Sequence, residues 1–163
     1  MGQARAVKRP IQGHQFSLES SRPNDLISMD AAGPFDEDIF RFKYVLVFID
    51  HMSKFTKLSP LRSVTAEECA STLVNYLCTE GLPKHTHSDK GTQFTNNVID
   101  ELFKFIGIKH TKSTTAPHEE NGVVERAIRD VKDKLQAFIL EENSAANWSF
   151  HLPLSGKINE YEN

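Results

Sequence analysis

The order in which the hydrophobic period changes along this chain constrains its fold more than any other feature. DLISMD (25–30), KYVLVFID (43–50) and FTKLSPL (55–61) are three consecutive strand-like runs with short connections, a pattern that predicts an antiparallel meander. Gly33 and Pro34 suit the first connection to a turn. Pro60 requires the third strand to be cut there or to lie at a sheet edge, since proline offers no N–H to a neighbour. From Thr65 onward helix and strand alternate. Thr65-Ala66-Glu67-Glu68 has capping-box spacing and opens a helix whose apolar face is Cys69, Leu73, Tyr76 and Leu77, closed by Gly81 and Pro83. KHTHSD (84–89) reads as a fourth strand. Thr95 is placed to cap a second helix carrying Val98, Ile99, Leu102, Phe103 and Ile106, closed by Gly107.

IKHTKSTT (108–115) reads as a fifth strand, and the polar segment APHEENG leads into the longest helical pattern. In that helix Val124, Ala127, Ile128, Val131, Leu135 and Phe138 hold a 3.6-residue period. A last helix starts near Ala145 and includes Trp148. Three strands followed by alternating helix and strand imply an α/β fold, a mixed five-stranded sheet flanked by helices.

Residues 1–23 contain few apolar side chains and read as a flexible arm made basic by Arg5, Lys8 and Arg9. Residues 24–163 then form one domain, a size that supports a single core. No apolar run has the length of a membrane span, and the N-terminus lacks a secretory signal, so the expected setting is intracellular. Cys69 and Cys78 lie about 13 Å apart along one helix, too far for a disulfide, and are expected as two buried free thiols. No Cys/His cluster has zinc spacing. A net charge of -3 is unusual for a nucleic-acid binder, although carboxylates that hold cations lower net charge without weakening phosphate chemistry.

Carboxylates stand at three informative places. Asp30 ends the first strand, Asp89 ends the fourth, and Glu125 lies in the first turns of the long helix. Strand ends are where α/β folds build sites. Hard oxygen ligands suit Mg²⁺ or Mn²⁺. In-line displacement at a phosphodiester needs one oxygen activated and another stabilised. Two metals roughly 3.5–4 Å apart do both, with Asp30 or Asp89 as the bridge. Residue type alone leaves a plainer reading open, since Asp forms turns and Glu near a helix start favours the helix dipole. Asp50 also ends a strand, but hairpin geometry places it beside the start of the first strand, about 20 Å from Asp30, and excludes it.

MDAAGPF, KYVLVFIDHMSKFTKLSPL, SDKGTQF and ENGVVERA, in that order, resemble the integrase core of gypsy-type LTR retrotransposons and, more distantly, of retroviruses. The likeness spans about residues 24–140, and 35 residues separate Asp89 from Glu125, the interval typical of that family. The resemblance implies a ribonuclease H-like fold. It implies a catalytic and metal-binding triad of Asp30, Asp89 and Glu125 that takes two Mg²⁺ or Mn²⁺ ions and no small-molecule cofactor. The implied reaction is 3′-end processing of element DNA followed by strand transfer into target DNA, in the nucleus after a cytoplasmic stage. Asn121 and Gly122 match the mobile loop before the catalytic helix in that family.

Arg129 and Lys132 share a stripe with Glu125 at i, i+4, i+7 spacing and are expected to hold DNA phosphates, the plainer alternative being a solvated helix face supported by Glu125–Arg129 pairing. Glu119 and Glu120 depart from the neutral residues many relatives carry in this loop. Related cores pair, so a homodimer or higher oligomer is expected. No flanking zinc or basic domain is recognisable, and the core is expected to be truncated at its C-terminal end. Two other readings compete: a domesticated or decayed core acting as a non-catalytic DNA- or protein-binding module, and a nuclease for RNA–DNA hybrids, which the 35-residue interval disfavours.

Overall fold

A computed structural model describes residues 20–112, 119–141 and 147–155, with side chains over 20–112, 125–140 and 147–152. The chain runs β1 (Leu26–Ala32), β2 (Tyr44–Asp50), β3 (Thr56–Leu61), α1 (Ala66–Glu80), β4 (His85–Ser88), α2 (Asn97–Ile106), β5 (Lys109–Lys112), α3 (Glu119–Glu141) and α4 (Trp148–Ser155). The strands form one sheet in the order β3-β2-β1-β4-β5. β1, β2 and β3 pair antiparallel as a meander, while β4 and β5 add in parallel. Pro60 stays within β3 opposite Val45, and β3 is an edge, which gives the missing N–H no strand to fail.

β2 explains why the sheet carries helices on both faces. Val45, Leu46, Val47, Phe48 and Ile49 are all buried, so both sides of the strand must be covered. Leu46 and Phe48 join Ile27 and Met29 of β1 in a core closed by Cys69, Leu73 and Tyr76 of α1 and by Ile99 and Phe103 of α2. The ring of Phe48 stacks on Tyr76 at 4.2 Å between centroids. Val45, Val47 and Ile49 point the other way, into a second core built from Val131, Leu135 and Ile139 of α3 and Trp148 and Leu152 of α4. Ala127, Ile128 and Phe138 pack on that core as expected, and Val124 lies outside the described side chains.

Local chemistry departs from sequence expectation at several places. Thr65 caps α1 by accepting from the Glu68 amide. The Glu68 carboxylate does not close the box; it accepts instead from the amides of Arg62 and Ser63, tying β3 to α1. Asn96, not Thr95, caps α2, because the Thr95 hydroxyl is spent on the Gly91 carbonyl while Asn96 Oδ1 accepts from Ile99. Cys69 is buried but Cys78 is exposed, since position 78 falls outside the apolar stripe; both thiols are free. α3 begins at Glu119, which takes Asn121 and Gly122 into its first turn rather than into a preceding loop. Of the arm expected over 1–23, residues 1–19 lie outside the described residues, as do 113–118, which hold the end of the expected fifth strand, and Ala145.

Candidate active site

β1 and β4 are central, adjacent and parallel, and their ladder ends with Met29 opposite Ser88. Asp30 and Asp89 each come one residue later, so the two carboxylates leave neighbouring strands at the same level. The pleat sends Asp30 to the face that α3 covers, and Glu125 reaches the same place from the start of that helix. Asp30, Asp89 and Glu125 line one open cleft of about 130 Å³, with Ser28, His87 and Ile128 among its other walls. The three acids, far apart in sequence, therefore share a pocket.

Each acid sits in a different environment. Asp30 Oδ1 accepts from its own neighbour, the Ala31 amide, at 2.7 Å, and Oδ2 accepts from Lys132 Nζ at 2.5 Å. Burial pushes the Asp30 carboxyl above its ordinary value and the charge of Asp89 adds to this, while the Lys132 ammonium works against both. Asp89 is exposed, and its Oδ1 accepts from the Gly91 amide at 2.9 Å, an Asx-type turn that fixes the bend after β4. Phe94, buried in the first core, anchors the far end of that loop. Glu125 is exposed on α3. Among the described residues, no three His, Cys, Asp or Glu side chains stand at the spacing of a closed metal site. The donor types nonetheless suit a divalent cation of hard character, since the three acids line one cleft and one of them already carries a cation, the Lys132 ammonium.

Lys132 thus lies in the site itself, on Asp30, and not only on a neighbouring stripe. Arg129 is exposed on the same helix. The side chains of Asn121 and Gly122 lie outside the described residues. Asp50 is separate, as expected, but closer than hairpin reasoning placed it. It pairs with Ile27, three positions from Asp30 and so about 10 Å along the strand, because the hairpin register is offset. Its carboxylate is consumed by the Asn24 and Ser53 amides and the Ser53 hydroxyl, at the opposite end of the ladder.

His87, which the sequence offered only as part of the fourth strand, also lines the cleft. The signal was present in the period of two, which puts residues 87 and 89 on one face of β4. The Thr111 hydroxyl gives its proton to the Thr86 carbonyl, so it accepts from His87 Nδ1–H at 3.1 Å, and the lone pair of the ring resides on Nε2. Burial holds the His87 imidazole below its ordinary value, opposed by the charges of Glu125 and Asp89. Beside it, the buried Ser28 hydroxyl meets His51 Nε2 at 2.7 Å. These neutral groups form the floor beneath the acids.

The sequence model of the family described as Integrase core domain matches residues 20–118, which include Asp30 and Asp89 and stop short of Glu125. The human KRAB-A domain-containing protein 2 is 34% identical over 66% of this chain and 22% of its own length. The human Gypsy retrotransposon integrase-like protein 1 is 26% identical over 85% of this chain and 26% of its own. The Gag-Pol polyprotein of feline leukemia virus is 31% identical over 71% of this chain and 7% of its own. The chain thus spans only a small part of these curated relatives.

Among solved structures, the catalytic core domain of BIV integrase superimposes with a TM-score of 0.66 at 26% identity, covering 86% of both chains. The HTLV-2 integrase catalytic core in complex with magnesium, in a trimeric form, superimposes with a TM-score of 0.65 at 20% identity, over 89% of this chain and 90% of that one. The sheet of mixed sense with helices on both faces is thus the fold of retroviral integrase catalytic cores. On the match over 20–118, this chain belongs to the integrase core domain family.

Proposed function

We propose that the chain is the catalytic core of a divalent-metal-dependent polynucleotidyl transferase, which processes the 3′ ends of retroelement DNA and transfers them into target DNA. The observation that carries this reading is the convergence of Asp30, Asp89 and Glu125 on one cleft at the end of the parallel pair β1 and β4. Bound there, two Mg²⁺ or Mn²⁺ ions would supply charge neutralisation and an activated oxygen at the phosphodiester. Asp30 and Asp89, side by side, provide the ligands nearest each other, and Glu125 closes the set from α3. Ile128 of α3 gives the cleft one apolar wall. Arg129 and Lys132, on the helix that carries Glu125, are the groups to hold DNA phosphates, with Asn121 and Gly122 at the start of that helix as further contacts.

The magnesium complex and trimeric form named for the HTLV-2 core, and the intasome named for the simian T-cell lymphotropic virus neighbour, support a metal-using, multimeric setting. We place that setting in the nucleus, with the chain acting as a homodimer or higher oligomer.

The test is reversal of strand transfer on a branched DNA substrate with Mg²⁺ or Mn²⁺. The chain should resolve the branch, and Asp89→Asn should abolish this while circular dichroism and melting stay unchanged. Equal activity in Asp89→Asn would refute the assignment. DNA binding without chemistry in the unaltered chain would favour the binding-module reading instead.

A further inference from the structure

Asp30 already carries a cation. Both of its oxygens have a donor, Oδ1 from the Ala31 amide and Oδ2 from Lys132 Nζ at 2.5 Å. Lys132 follows Glu125 by seven residues, two turns of α3, so the ammonium reaches back over the helix face that overlooks the cleft. The contact is not sealed in. The Lys132 side chain keeps 34% of its exposure and Asp30 keeps 18%, which leaves the ammonium a route to solvent. Asp30 needs such a partner, because it is partly buried and faces the like charge of Asp89.

A divalent ion on Asp30 Oδ2 and an ammonium at the same oxygen would stand within about 4 Å of each other and repel strongly in a partly desolvated cleft. Only one of them can hold the seat. We propose that Lys132 is the internal counter-ion of the acidic site: it neutralises Asp30 while the site is metal-free, must leave before a divalent ion is held, and on leaving becomes available to a DNA phosphate. This inference rests on the reading that the three acids bind metal, and adds to it a linkage between metal loading and DNA capture. The linkage is reciprocal, so DNA that draws Lys132 away raises metal affinity by the same factor that metal raises affinity for DNA.

The experiment is calorimetric titration of Mn²⁺ into the 163-residue chain and into Lys132→Gln, paired with amine acylation of Lys132 read by mass spectrometry. Lys132→Gln should bind Mn²⁺ about fivefold tighter, the size expected for release from a part-exposed ion pair. Acylation of Lys132 in the unaltered chain should rise severalfold on saturation with Mn²⁺, a readout that does not depend on the variant folding. Equal or weaker Mn²⁺ affinity in the variant, or acylation indifferent to Mn²⁺, overturns the counter-ion role and leaves the metal site standing. No Mn²⁺ uptake by either protein overturns the metal reading, and the counter-ion role falls with it.

Discussion

Glu125 has a fixed place only if α3 is seated on the sheet, and Leu135 is the residue that tests the seat. It is fully buried between Val47, Trp148 and the rest of the second core, whereas Leu140, on the same helix, is 68% exposed. Leu→Ala removes three carbons. At ~0.8 kcal/mol each, with a cavity contribution added, Leu135→Ala should cost about 3 kcal/mol. The same change at Leu140 should stay within about 0.5 kcal/mol. With a urea dependence of about 2 kcal/mol per molar for a domain of this size, the midpoint should fall by about 1.5 M for Leu135→Ala and hardly move for Leu140→Ala. Trp148, the one tryptophan, lies in that same core with its Nε1 donating to the Asp36 carbonyl at 2.9 Å, so its fluorescence reports the event directly. Branch resolution should fall with Leu135→Ala and not with Leu140→Ala. Equal midpoints for the two variants would refute the docking of α3 and with it the placement of Glu125.

Two further outcomes follow from the same structure. His110 has a side chain only 5% exposed, its Nε2 meets Ser88 Oγ at 2.9 Å, and burial holds its imidazole down to about 4. A folded value below the unfolded one means stability is complete above about pH 6.5 and is lost as pH falls toward 4. The loss is on the order of 3 kcal/mol, and melting temperature should drop across that window. His110→Gln should shrink the drop while leaving the share owed to His51, which burial also holds down to about 4, and an unchanged profile would contradict the assignment. Arg129→Ala should weaken DNA binding evenly across sequences and reduce the salt slope by about one, measured by anisotropy between 50 and 200 mM salt; an unaltered slope would remove Arg129 from the interface.

Much of the fold was legible because its signals are local and periodic. KYVLVFID read directly as a strand, and Pro60 had either to end the third strand or to sit at an edge, of which the structure shows the edge. The nearness of Asp30 and Asp89 was readable as two strand ends, although Asp30 lies within β1, two residues before its end at Ala32, and Glu125 entered on resemblance and the 35-residue interval. What was not legible depends on competition between partners. Whether Thr95 or Asn96 caps α2 was decided by the Gly91 carbonyl, and Glu68 was drawn from its box by two amides of the preceding loop. The position of Asp50 turned on a hairpin register that turn residues alone do not fix. Lys132 was readable as a basic residue near the acids, but its contact with Asp30 follows from how α3 lies across β1, a tertiary fact with no local signature.

The most direct measurement is anomalous diffraction from crystals of this chain soaked in Mn²⁺. Peaks bounded by the carboxylates of Asp30, Asp89 and Glu125, lost in Asp89→Asn crystals grown alike, are the predicted result. Ordered acids with no anomalous density among them at saturating Mn²⁺, or Mn²⁺ held elsewhere and indifferent to Asp89→Asn, would contradict the account.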